Sequence, residues 1–308
     1  MFKLLVLYIS LLTVSPGEEL YARYGHTAVR VVDAEQQLDV CFNYGLFDFR
    51  TEHFYYKFVR GLTYYQLGVE DTRSFIISNA MEGRDIYEQH LNLSEEQAEA
   101  VKEALLTNYR PENREYLYNF VFDNCATRPY HVIANAIGDS ILSAYRGWEG
   151  KTYRQILQYY TGKHSWADFG TNLLFGRRAD IPMHGLDRVF LPEQLMLYLA
   201  DAHTGQGKAI VDHQQLGTFA PPVVKWYETW YVGVVLFILL MAALSIFDRR
   251  RGKMTWWVDV VLGIVYVLLL AIVVFLTFFS IHPLVGFNWR LFLFPCLHAV
   301  VRLIYWIR

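Results

Sequence analysis

Three residues of this chain carry chemistry that fits together: Cys125, His26 and Asn43. A cysteine sulfur can attack a carbonyl, an imidazole can move the protons, and an amide oxygen can hold the imidazole in place. Cys125 stands in Phe120-Val121-Phe122-Asp123-Asn124-Cys125-Ala126-Thr127-Arg128-Pro129. A lone cysteine is usually buried and inert. Here two polar residues, Asp123 and Asn124, come directly before it, which argues against a purely apolar setting. His26 stands in Tyr24-Gly25-His26-Thr27-Ala28. Alone it reads as a structural histidine satisfied by a backbone carbonyl; beside a thiol it reads as a general base.

These residues need elements to position them. Residues 116–122 are aromatic and β-branched and read as a buried strand. From Ala126 to Ile137 the pattern is helical, with Gly138 as a stop. Cys125 then falls in the first turn of a helix, where free N–H groups and the helix dipole favour a thiolate. Residues 27–32 and 38–44 read as two strands of a hairpin turning at Asp33-Ala34-Glu35-Gln36. Antiparallel pairing places His26 opposite a residue between Asn43 and Gly45, and Asn43 is the chemically sensible orienter. Residues 62–69 read as a further strand. Ser94-Glu95-Glu96-Gln97 is a capping box that opens a helix to about Tyr109. Residues 147–220 read as loop-rich with short helical pieces.

Composition narrows the classes. The chain has 308 residues, of which 54% are hydrophobic and 17% aromatic, enough for one globular domain and something more. A net charge of -2 gives no support for nucleic-acid binding. The cysteines Cys41, Cys125 and Cys296 form no CxxC, zinc or disulfide pattern, and the histidines form no HExxH. There is no Walker loop and no GxGxxG, so no metal and no cofactor is expected. Gly138-Asp139-Ser140 resembles a lipase block but follows a helix rather than a strand, which removes Ser140 as a nucleophile. Arg146, Arg177 and Arg178 read as solvated surface. Arg128, one turn past Cys125, is the better anion-binding candidate.

The C-terminal part is a membrane region. Residues 230–247 and 256–280 are long and apolar enough to span, and 288–307 is a weaker third span interrupted by Arg290, Pro295 and Arg302. Arg249, Arg250, Arg251 and Lys253 lie between the first two spans and should stay in the cytoplasm, which puts the preceding domain outside. Trp226, Tyr227, Trp230 and Tyr231 then mark the outer interface, and Trp256 and Trp257 the inner one. The loop 281–288 returns to the outer side. His282 and Asn288 in it are expected to help bind substrate at the lipid surface. The expected division is a signal-like or first-strand segment at 1–14, a periplasmic domain at 15–224, and a transmembrane region of about three helices at 225–308.

The order of histidine on a strand, polar residue on the next strand and cysteine at a helix start resembles a permuted papain-like arrangement. The Asn124-Cys125 pair resembles that of the lecithin–retinol acyltransferase group, whose core is similar to NlpC-type peptidases. A closer resemblance runs through Leu11-Leu12-Thr13-Val14-Ser15-Pro16-Gly17, Glu19-Leu20-Tyr21, Tyr24-Gly25-His26-Thr27-Ala28-Val29-Arg30-Val31, Asn43-Tyr44-Gly45-Leu46-Phe47-Asp48-Phe49 and the Asp123–Pro129 stretch. Together these resemble the Lnb-type lipoprotein N-acyltransferase family and its periplasmic domain. The resemblance implies an α+β, permuted papain-like domain on the periplasmic side of the inner membrane, followed by a transmembrane helix bundle. It implies transfer of an acyl chain from a phospholipid, through a thioester on Cys125, to the amino-terminal cysteine of a diacylated lipoprotein. Cys125, His26 and Asn43 would be catalytic, and Asn124 and Tyr24 would serve the oxyanion or support the site. Two alternatives stay open: a papain-like cell-wall peptidase or amidase, and a non-catalytic membrane-anchored binding module.

Overall fold

An apolar run with no polar face belongs in the middle of a sheet, and that is where the first described segment lies. The computed structural model describes residues 7–286. In chain order its main elements are β1 (Leu7–Val14), β2 (His26–Asp33), β3 (Leu38–Leu46), α1 (Phe54–Arg60), β4 (Tyr64–Asp71), α2 (Thr72–Met81), β5 (Ile86–Leu91), α3 (Glu95–Tyr109), β6 (Glu115–Leu117), α4 (Thr127–Ile137) and β7 (Ile141–Ser143). Then follow α5 (Tyr153–Thr161), α6 (Trp166–Leu174), α7 (Pro192–Ala200), β8 (Ala202–Thr204), β9 (Val211–Gln214), α8 (Trp230–Arg251) and α9 (Trp256–Phe279). They group into two units, one made of residues to 150 with 182–220, the other of 151–181 with the chain from 221 on.

The first unit is an α+β domain built on one antiparallel sheet, in the order β6-β4-β3-β2-β1-β5-β9. Of the two expectations for residues 1–14, the strand is what 7–14 adopts, hydrogen-bonded between β2 and β5. Alternation along the strands makes two cores. Ile9, Leu11, Val29, Val31, Phe42 and Tyr44 pack with Val101 and Leu105 of α3 and Ile133 of α4. On the opposite face Leu12, Val14, Ala28 and Cys41 pack against Phe75 of α2. The capping box at the start of α3 is present: the Gln97 N–H donates to Ser94 Oγ at 3.2 Å, and the Ser94 N–H to Gln97 Oε1 at 2.9 Å.

The expected strand at 116–122 shrinks to the three residues of β6. Asn119 is the reason: its Oδ1 accepts from the N–H groups of Val121 and Phe122 at 3.1 and 3.0 Å, and its backbone bridges to Asp123. A side chain that captures the two following N–H groups draws the backbone into a turn, whatever the apolar pattern favours. The stretch expected to be loop-rich with short helical pieces holds the short helices α5, α6 and α7. Capping explains two of them, since Thr152 and Gln155 form a reciprocal box before α5 and the Ser165 side chain caps α6.

In the second unit, α8 and α9 are long and apolar enough to cross a membrane. The first runs past residue 247 through the arginines and ends at Gly252, whose φ of 62° closes the helix. Asp248 ties the connection, accepting from the Thr255 N–H at 2.9 Å and the Thr255 hydroxyl at 2.5 Å. At the other end of α8, the Trp230 N–H donates to His164 O at 3.1 Å, and the Phe169 and Trp230 rings lie 5.7 Å apart. Exposed Trp166, Trp226 and Tyr227 fit a headgroup-level belt at that end. The third expected span lies outside the described residues.

Candidate active site

His26 is the first residue of β2, and Ala28, two residues along on the same face, pairs with Asn43 of β3. That register makes His26 and Asn43 diagonal neighbours across the strand pair. His26 Nε2 lies 3.1 Å from Asn43 Oδ1. The amide nitrogen of Asn43 donates to Glu70 Oε1 at 2.9 Å and to the Cys41 carbonyl at 3.5 Å. Those two acceptors fix the amide so that its oxygen faces the imidazole. Nε2 therefore carries the proton, and Nδ1 is left with the lone pair.

Gly25 sets the entry into β2. Its φ is +78°, and a Cβ there would stand 2.7 Å from the Val14 carbonyl oxygen. Gly25→Ala is expected to cost about 1–3 kcal/mol and to displace His26, read as a lower melting temperature together with a reduced rate. An unchanged melting temperature would contradict the reading of Gly25 as the fixed pivot of His26.

Cys125 lies in the turn that leads into α4, just before the helix rather than inside its first turn. The β2–β3 ladder begins at Ala28 and Asn43, so Thr27 lies beyond it. Along β3 the pairing with β4 shifts between Asn43 and Leu46, and Gly45 takes a φ of +93°. The two strands part there and Cys125 fills the gap. A Cβ on Gly45 would lie 3.7 Å from Cys125 Cβ, and the Cys125 sulfur faces the backbone N–H of Thr27 and its own. The thiol thus meets β2 one residue from His26.

Burial governs the charge of both groups. It pushes the Cys125 thiol up to about 11, against the opposing pull of the Thr27 and Cys125 N–H groups and of Arg84. It pulls His26 down to about 4, resisted by the Asn43 bond and assisted by Arg84. At neutral pH the resting site holds a thiol and a neutral imidazole. Against the thiolate expected from a helix start, Cys125 precedes the helix, and burial raises its thiol more than the N–H groups lower it.

The other sequence-selected residues separate into different places. Asn124 uses its whole amide on the backbone: Oδ1 accepts from the Ala126 and Thr127 N–H groups at 2.8 and 3.0 Å, and Nδ2 donates to the Phe120 and Phe190 carbonyls at 2.7 and 2.8 Å. It braces the cysteine turn and has no donor left for an oxyanion. Arg128, expected to hold an anion, is held by Asp123 through Nε at 2.5 Å and Nη2 at 2.8 Å, with its guanidinium 3.5 Å from the Tyr116 ring. Its charge is committed to the turn. The Tyr24 ring packs on Phe120 at 5.0 Å. His282 belongs to the second unit, where its N–H donates to Ser280 Oγ at 3.3 Å. Asn288 lies outside the described residues. Sequence reasoning missed Glu70, which orients Asn43, and Arg84, whose charge reaches both His26 and Cys125. Neither sits in a motif; only strand register brings them in. Among the described residues no group of three or more His, Cys, Asp or Glu side chains is placed to hold a metal ion.

Neither a curated protein nor a solved structure matches the chain. Two family models do: residues 2–159 match the Lnb N-terminal periplasmic domain, and residues 225–308 match the Lnb transmembrane domain. With a periplasmic domain that spans half its length and a transmembrane domain behind it, this chain belongs to the Lnb family.

Proposed function

We propose that the protein is a lipoprotein N-acyltransferase of the inner membrane, with Cys125 as nucleophile, His26 as general base and Asn43 as its orienter. The observation that supports this most is the His26–Asn43 bond at 3.1 Å, with Cys125 packed where β2 and β3 part. The bond leaves Nδ1 as the basic nitrogen, so a proton can move from the thiol to His26 as the sulfur attacks.

In the first half-reaction Cys125 Sγ bonds to the ester carbonyl carbon of a phospholipid and its proton passes to His26 Nδ1. The tetrahedral intermediate collapses, the C–O bond breaks, and the lysophospholipid alcohol leaves with the proton from His26. In the second, the neutral amino group of a diacylated lipoprotein's first cysteine attacks the thioester. His26 takes the amine proton and returns it to the departing sulfur. Backbone N–H groups at Thr27 and Cys125 are the donors available to an oxyanion. The acyl group moves between lipids, which suits a domain tethered to a membrane segment.

The test is purified full-length protein in mixed micelles with a phospholipid and a diacylated lipopeptide. The expected products are the triacylated lipopeptide and an equal amount of lysophospholipid. Cleavage of cell-wall peptides without any acyl transfer would replace this reading with the amidase alternative. Binding of lipopeptide without turnover of either substrate would favour the non-catalytic module.

A further inference from the structure

Arg84 brings a cation to the active-site end of the sheet, and the strand register puts it there. Val14 of β1 pairs with His26 on one side and with Ile86 on the other. Ile86 is therefore two strand spacings from His26, roughly 10 Å. Arg84 precedes Ile86 by two residues at the same end. Its Nε donates to the Ser15 carbonyl at 2.9 Å, one residue past Val14, and its stem lies over Gly17, where a Cβ would stand 3.4 Å from Arg84 Cδ. The Ser15 N–H donates to the Asp85 carbonyl at 2.8 Å, and the Asp85 N–H to Ser15 Oγ at 2.8 Å, so the segment carrying Arg84 is fixed.

The side chain is only 10% exposed, and its Nη2 is buried with no hydrogen-bond partner among the described residues. Its counter-charge, Glu82, sits 3.5 Å from Nη1 and is itself 64% exposed, so it compensates weakly. A buried guanidinium with an open nitrogen is costly unless something else completes it. The Ser15 bond explains Nε and Glu82 explains Nη1; among the described residues nothing explains Nη2. Arg84 also acts on the catalytic candidates electrically, favouring the Cys125 thiolate and the neutral form of His26. A transient oxyanion has backbone N–H donors at Thr27 and Cys125. A permanent anion next to the reacting ester is what would complete Arg84 in the ground state.

We propose that Arg84 is the donor-binding residue of this site, its Nη2 taking a non-bridging oxygen of the phosphodiester beside the ester that Cys125 attacks. The identity of the donor rests on the acyl-transfer reading above; the affinity for a lipid phosphodiester does not. A fixed positive charge there selects a phospholipid over a neutral diacylglyceryl group, which separates the two lipids that the site must tell apart. It also disfavours the protonated form of an incoming amine.

The test uses full-length protein and non-hydrolysable ether lipids, so that no turnover is needed. Alkylation of Cys125 is followed at pH 9 by peptide mass, alone and with a dialkyl ether phospholipid, a dialkylglycerol or inorganic phosphate. The wild type should be protected by the ether phospholipid at concentrations about 10- to 100-fold below those of the dialkylglycerol, as befits one charge-assisted hydrogen bond pair. Arg84→Gln should erase that preference and leave protection by dialkylglycerol unchanged. Arg84→Lys should keep part of it. A matching loss toward both lipids in Arg84→Gln, or an unchanged preference, would overturn the assignment. So would equal protection by inorganic phosphate, which would mark a general anion site. Should the wild type transfer no acyl group yet show the Arg84-dependent preference, the acyl-transfer reading fails and the phosphodiester site stands.

Discussion

Cys125→Ala should remove the proposed acyl transfer, by about 10^4-fold or more, in a protein that still folds. The sulfur contacts backbone N–H groups at the end of β2, and its Cβ packs near Gly45. Alanine keeps that Cβ and deletes only the nucleophile. The turn holding the residue is braced independently by the four hydrogen bonds of the Asn124 side chain to the Ala126, Thr127, Phe120 and Phe190 backbone. The melting temperature should therefore stay near that of the wild type. Cys41→Ala and Cys296→Ala should retain nearly normal rates. Cys41 is buried beside Phe75 of α2, with its sulfur 3.4 Å from Thr72 Oγ1. Near-normal acylation by Cys125→Ala would remove the thiol from the mechanism altogether.

The second large effect belongs to His26. His26→Ala should lower the rate by about 10^2- to 10^4-fold, because burial holds the thiol in its protonated form and His26 is the base proposed to take its proton. The pH dependence separates this from a loss of packing. His26 is pulled down to about 4, so its basic form persists far below the usual histidine range. The acid limb of kcat/KM should fall near pH 4, not near 6.5, and be absent in His26→Ala. Stability follows the same shift. Below about 6.5 the unfolded chain takes up a proton that folded His26 refuses until about 4, so stability is lost as pH falls across that window. On the alkaline side Cys125 is pushed up to about 11, and its alkylation in the free enzyme should climb steadily with pH without levelling near neutrality. A plateau at pH 7 would mean a preformed thiolate and contradict the neutral resting pair.

Much of this arrangement was legible from residue types. The hairpin of β2 and β3, the helix after Cys125 and the two spans follow from alternation, helical spacing and apolar length. What was not legible depends on contacts between distant segments. The 116–122 run reads as a strand, yet the Asn119 side chain competes for its backbone and wins. Arg128 looked free because a sequence does not reveal that Asp123, five residues back, grips it in a bidentate pair. Asn124 is expected to serve the oxyanion or support the site, and which of the two its amide does depends on distant partners: its N–H groups are spent on the Phe120 and Phe190 carbonyls. The charge of Cys125 depends on more than its place near a helix start, which is local, because desolvation is set by everything packed around the site. Arg84 and Glu70 were invisible, since only the pairing of β5 with β1 and of β4 with β3 carries them to His26 and Asn43.

The proposed mechanism passes through a covalent acyl group on one sulfur. Full-length protein mixed with a phospholipid of defined chains, in the absence of any amine acceptor, should gain the mass of one acyl group, on the peptide containing Cys125. The adduct should be released by neutral hydroxylamine and should disappear on adding a diacylated lipopeptide, with the triacylated product appearing in its place. Triacylated lipopeptide formed with no acyl adduct at any time, or an adduct that persists in Cys125→Ala, would contradict a thioester on Cys125.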